Sequence, residues 1–144
     1  MTANSPAPPA ILTGRCMCGA VSYKISAPPV GVGLCHCNRC RPQSGTALST
    51  VMFVQRNAFE ITGETAVFDD VGSSGLRVLR RYCTRCGSPL TTESDLTPAL
   101  FFVKAGGLDQ TDWLQPTFEM FVGRRVAWVS ALPGAAQFEG NPPA

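Results

Sequence analysis

Seven cysteines in a chain of 144 residues gather in three short groups: Cys16-Met-Cys18, Cys35-His-Cys37-Asn-Arg-Cys40 and Cys83-Thr-Arg-Cys86. Thiols this close hold a metal more readily than they pair, because Cys-x-Cys neighbours reach relaxed disulfide geometry only by distorting the backbone. In an extended segment residues i and i+2 project from the same side, so both sulfurs of a Cys-x-Cys can face one ion while the middle residue points away. A Cys-x-x-Cys turn does the same through a tight bend. Zinc bonded to sulfur at about 2.3 Å sets the sulfurs roughly 3.8 Å apart, and on that geometry the seven thiols divide into four and three. Cys16, Cys18, Cys83 and Cys86 make a closed four-thiolate set, which predicts a structural zinc clamping residues near 16 to residues near 85. Cys35, Cys37 and Cys40 leave a fourth position open to water or a substrate, which predicts a second, catalytic zinc. His36, between two of these ligands, is expected to face away from the ion and to pack or hydrogen-bond. Three other divisions stay open on spacing alone: one cluster of all seven thiols, a redox dithiol at Cys83 and Cys86, and two purely structural sites in a binding module.

The residues around the open triad suggest what it could take. Arg39 and Arg41 are the nearest fixed positive charges in sequence, and a guanidinium suits bidentate contact with a carboxylate. Ser44 is placed at the same mouth. Arg80, Arg81 and Arg85, near the closed set, read as a solvated face. No pair of carboxylates stands out as general acid and base, and Trp113, Trp128 and the eight Phe read as core.

The elements that must position these groups read as short strands. Val21-Ser-Tyr-Lys-Ile25 alternates apolar and polar side chains as a half-buried strand does. The Gly31-Val-Gly33 step reads as a loop delivering the central cysteines, and Arg41–Gly45 as a turn or a single helical turn. Strands follow at Ala47–Val54, Ala58–Thr62, Ala66–Phe68, Leu76–Tyr82, Pro89–Thr92, Ala99–Lys104, Thr117–Val122 and Val126–Val129, about eight or nine in all. No stretch keeps a 3.6-residue period over ten positions. With 14 Gly, 12 Pro and 15% charged residues, the expectation is a mainly β, loop-rich domain over 11–138, with a disordered lead-in at 1–10 and a surface tail whose last part is 139–144.

Composition also narrows the partners. A net charge of +2 without a block of like charges points to no nucleic acid, and no apolar run is long enough to span a bilayer. The first ten residues lack the features of a secretory signal, so a cytoplasmic protein is expected, in which clustered cysteines bind metal or do redox chemistry. The sequence carries no signal of oligomeric state.

Taken together, Cys16-Met-Cys18-Gly-Ala-Val, Cys35-His-Cys37-Asn-Arg-Cys40-Arg, Tyr82-Cys83-Thr-Arg-Cys86-Gly, Ala105-Gly-Gly-Leu-Asp109 and the late Trp128 resemble the glutathione-dependent formaldehyde-activating enzyme family, often grouped with centromere protein V. The resemblance runs from about residue 12 to residue 138. It implies small stacked antiparallel sheets of the β-tent type, a structural zinc on the first four cysteines and a more labile zinc on the other three. It implies a carbon–sulfur lyase-type activity joining a small-molecule thiol, glutathione, to formaldehyde or another small electrophile. The alternative is a zinc-stabilised binding module without turnover. Two departures stand out: Pro42 follows Arg41, and Pro116-Thr-Phe-Glu119 stands where many members place a histidine.

Overall fold

A computed structural model of the chain describes residues 5–143. In chain order its elements are β1 (Leu12–Arg15), β2 (Ser22–Ile25), β3 (Gly31–Cys35), the helix α1 (Cys40–Ser44), β4 (Ser49–Gln55), β5 (Phe59–Thr62), β6 (Thr65–Val71), β7 (Arg77–Cys83), β8 (Pro89–Ser94), β9 (Leu100–Lys104), β10 (Phe118–Met120) and β11 (Ala136–Phe138). A small antiparallel sheet has the order β1-β2-β5, and a large one the order β11-β10-β3-β4-β9-β8-β7-β6. The large sheet is antiparallel except at one edge, where β10 runs parallel to both β3 and β11. No described helix is long and apolar enough to cross a membrane.

Alternation along the strands gives the large sheet two different faces. Val32, Met52, Val54 and Val103 point one way and pack with Leu12, Tyr23, Ile25 and Phe59 of the small sheet in one buried cluster. Each such side chain contributes about 1.5–3 kcal/mol by leaving water. On the other face, register aligns a different set. Cys35 lies opposite Ser49, Val51 opposite Lys104, and Phe53 opposite Phe102. Phe102 in turn lies opposite Thr92, and Thr92 opposite Arg80. Directly paired residues share a face, so a thiol, two cations, two hydroxyls and two aromatic rings rise from one side of the sheet.

The structure corrects several sequence expectations. Gly31–Gly33 is part of β3 and not a loop; Gly33 is needed there because a Cβ would lie 2.2 Å from the Phe118 ring. Val126–Val129 is a turn rather than a strand, and Trp128 on it is 78% exposed instead of core. The expected surface tail contains β11, and its Asn141 and Pro142 line a cavity. Residues 1–4 of the expected disordered lead-in, and Ala144 of the tail, lie outside the described residues. Residues 5–10 form no strand or helix, yet Ser5 accepts a hydrogen bond from Gln115.

Candidate metal centres and a cationic cavity

Two thiol clusters form as the spacing predicts. Cys16, just after β1, and Cys18 meet Cys83 at the end of β7 and Cys86 in the turn that follows; the second cluster is Cys35, Cys37 and Cys40, and within each cluster all sulfurs lie within 4.8 Å of one another. Cys16 and Cys18 Sγ are 3.6 Å apart and Cys18 and Cys83 Sγ 3.9 Å, close to the edge of a zinc–thiolate tetrahedron. All seven cysteines are free. Backbone N–H groups point at the sulfurs: Val21 N donates to Cys16 Sγ at 3.2 Å, Arg85 N to Cys83 Sγ at 3.3 Å and Cys40 N to Cys37 Sγ at 3.1 Å. Such donors favour thiolate over thiol. The donor chemistry therefore fits zinc at both places.

Protonation is split within each cluster, as expected for thiols that share negative charge. Hydrogen bonds from Cys35 and Cys40 push Cys37 down to about 2, while Cys37 and Cys40, with burial, push Cys35 up. In the other cluster the Ser88 hydroxyl pulls Cys86 down to about 5. Cys18 rises to about 11: the Ala20 N–H lowers it, but burial and the adjacent thiols outweigh that. A divalent cation would relieve this competition by letting every thiol ionise.

His36 faces away from the triad, as i/i+2 alternation requires. It lies on the back of the sheet, wholly buried, and its Nε2 donates to Glu119 Oε1 at 2.7 Å. Glu119 also accepts from Leu132 N at 2.8 Å and Gln137 Nε2 at 2.7 Å, and Arg125 stands 3.1 Å away. Burial alone would raise its pKa, yet the donors from Gln137, Leu132 and His36, with the Arg125 charge, hold it down at about 2. Glu119 is therefore a carboxylate locking the Cys35-His36-Cys37 turn onto β10. A folded pKa below the ordinary 4.5 contributes stability that is present above the unfolded value and lost as pH falls through the folded one. We expect Glu119→Gln to lower stability at pH 7 and to flatten the acid-unfolding limb between about pH 4.5 and pH 2, as followed by circular dichroism; an unchanged limb would reject this role.

The triad opens into a cavity of about 680 Å³ on the open face of the large sheet. Cys35, Cys37 and Cys40 line one end, and Arg39, Arg80, Lys104 and Arg124 supply positive charge, with no carboxylate among the described lining residues. Phe53 and Phe102, tilted rings with centroids 4.6 Å apart, form an apolar wall. Lys104 is 8% exposed; its Nζ donates to Ser49 Oγ at 2.9 Å, and no carboxylate among the described residues pairs with it. Burial pushes its pKa down, against the pull of Cys40. Arg80, also 8% exposed, is held through Nε by Asp70 at 2.9 Å, and Asp70 reaches Arg39 at 3.1 Å with its other oxygen.

Of the residues placed at the mouth by sequence, Arg39 lines the cavity but is engaged by Asp70. Arg41 does not line it: its Nη2 donates to Asn38 Oδ1 at 3.0 Å. Ser44 donates to Cys40 O at 2.6 Å and lines a different cavity, next to Cys16 and Trp128. The sequence reading missed Lys104 and Thr92, and it read Arg80 as solvated. The alternation Val78/Arg80 on a strand opposite Asp70 was the available signal for Arg80. Arg85 is exposed, whereas Arg81 is half-buried between Thr65 and Glu93.

A two-sheet β domain with one four-thiol and one three-thiol cluster defines the class. Residues 11–124 match the family described as glutathione-dependent formaldehyde-activating enzyme, and the chain belongs to that family. Its fold is similar to that of a Rhodobacter sphaeroides protein solved by structural genomics, with a TM-score of 0.54 and 14% identity over 88% of this chain and 98% of that one. No curated protein matches the sequence significantly.

Proposed function

We propose that the protein is a zinc-dependent enzyme of the carbon–sulfur lyase type that adds a thiol, glutathione, to formaldehyde or another small electrophile. The observation that carries the reading is the position of the triad at the end of a cationic cavity that none of the other four cysteines lines. Cys35, Cys37 and Cys40 would hold the reactive zinc, and Cys16, Cys18, Cys83 and Cys86 the structural one. When bound, the triad's ion would supply an open position and lower the pKa of a thiol there.

The chain's own residues do the rest. Lys104, a buried ammonium facing three thiolates, offsets negative charge where a further thiolate arrives, and the low-dielectric site makes that charge count. Phe53 and Phe102 exclude water from one wall. The new S–C bond forms as the carbonyl π bond opens, and the proton lost from the thiol returns to the carbonyl oxygen through water. Membership of the family supports this chemistry, and the protein would act on small molecules in the cytoplasm rather than on nucleic acid or membrane.

Exchange spectroscopy on glutathione and formaldehyde tests the reading: the zinc-loaded protein should speed exchange above the uncatalysed rate. No acceleration would leave the binding-module alternative. Lys104→Met should lower the rate at pH 7 by about tenfold and shift the rate profile about one pH unit upward. A profile that keeps its midpoint would exclude Lys104 from thiolate stabilisation.

A further inference from the structure

We infer that Arg80 and Thr92 form a carboxylate subsite on the cavity floor, which fixes the acidic end of the thiol substrate; the inference rests on the proposed reaction for the identity of that thiol. Two observations meet here. Thr92 is only 7% exposed, lines the cavity, and its Oγ1 has no hydrogen-bond partner among the described residues. A buried hydroxyl without a partner is costly, so its donor is explained by a group that enters the cavity. Arg80 lies directly opposite Thr92 in the β7–β8 register, and the two side chains share the face.

Arg80 is prepared for the same guest. Asp70 holds its Nε, and Gln43 makes only a long contact of 3.4 Å to Nη1, so Nη2 has no partner among the described residues. Asp70 divides its charge between Arg80 and Arg39, and a pair of guanidiniums on one carboxylate keeps a net positive charge. A planar carboxylate suits this arrangement, accepting from the Nη2 edge of Arg80 and from the Thr92 hydroxyl. The wall between subsite and triad is Phe102, next to Thr92 across β8 and β9, which suits the apolar stem of a thiol. Arg80 and Thr92 therefore discriminate against neutral thiols that share the substrate's reactive end. Arg41 and Ser44, which the sequence favoured, take no part.

The test is calorimetric titration of the zinc-loaded full chain with S-methylglutathione and with its diethyl ester, which lack a reactive thiol and differ from each other in carboxylate charge. The wild type should bind the acid at least about tenfold tighter than the ester. Thr92→Val, which removes only an already unpaired hydroxyl and should fold normally, should cut that preference about three- to tenfold; Arg80→Met should abolish it. Lys24→Met, on the far sheet and paired with Glu60, controls for overall charge and should leave the preference unchanged. Equal binding of acid and ester by the wild type, or a preference untouched in Thr92→Val, overturns the subsite. A preference that stands while formaldehyde exchange is not accelerated upholds the subsite and removes the proposed reaction instead.

Discussion

Cys37→Ser is expected to abolish thiol exchange while leaving the protein folded, with metal content falling from two zinc ions per chain to one. The argument is local. Cys35 ends β3, Cys40 begins α1, and Cys37 lies between them on a segment already held by other contacts. Gly45 closes the helix in the left-handed conformation with φ 70°, and His36 is tied to Glu119 behind the sheet. A short loop loses little closure entropy when its metal link is cut. The serine hydroxyl can still accept the Cys40 N–H that now reaches Cys37 Sγ. A neutral hydroxyl is a far poorer zinc ligand than a thiolate, however, and even outer-sphere partners of a metal are worth about 10–100-fold in affinity or activity. Loss of at least about a hundredfold in rate is expected, with a melting temperature within about 3 °C of wild type, as for a change under 1 kcal/mol. Metal analysis, exchange rates and a thermal melt on one preparation check all three. Collapse of the fold would show that the triad is structural, and full activity that the reacting group lies elsewhere.

The seven ligand candidates were legible because their chemistry is written in local spacing. Alternation over three residues was also enough to turn His36 away from Cys35 and Cys37. What the sequence hid depends on pairing between distant strands. Glu119 is 83 residues from His36, so its role as a buried anchor emerges only once β10 lies beside β3. Lys104 ends the apolar run Ala99–Val103 and looks like a strand terminus reaching for water. It is buried because register places it beside Val51 and its Nζ meets Ser49. Arg80 sits in Leu76-Arg-Val-Leu-Arg-Arg, where the density of charge suggests a wet surface, yet Asp70 across the β6–β7 hairpin pairs with its Nε and permits burial. Trp128 failed in the opposite sense: Val126–Val129 is a turn and not a strand, which leaves the ring exposed at the rim of the cavity it shares with Cys16. Arg41 and Ser44 are near the triad in sequence, but neither lines the cavity that Cys40 faces: Arg41 donates to Asn38 and Ser44 to the Cys40 carbonyl.

Cys83→Ser is expected to have the larger effect on stability, because its cluster holds the two sheets together. Cys16 follows β1 of the small sheet, while Cys83 ends β7 of the large one. Cys18 and Cys83 are 65 residues apart in sequence, yet their sulfurs are 3.9 Å apart. A cross-link closing a loop of that length restricts the unfolded chain by about 4 kcal/mol in the chain-entropy picture. Native domains have only about 5–15 kcal/mol in total, so losing the clamp removes a large part of it. The other links at this junction are hydrogen bonds and packing: Thr13 Oγ1 donates to Asp109 Oδ2 at 2.7 Å and Asp109 N to Thr13 O at 2.9 Å beside a Gly14–Leu108 bridge, Met17 N donates to Ser88 Oγ at 2.9 Å, and the buried apolar cluster fills the space between. Cys83 is itself wholly enclosed, and its sulfur accepts from the Arg85 and Cys86 N–H groups. A serine oxygen, on a shorter bond, would hold those donors, already at 3.3 and 3.5 Å, only weakly, as well as emptying the metal site. The melting temperature should fall by at least about 10 °C, and a strong chelator should lower the wild type to a similar value while leaving Cys83→Ser almost unmoved. A fall of only a degree or two would mean that the apolar contacts between the sheets suffice, and the four-thiol cluster would then need another role.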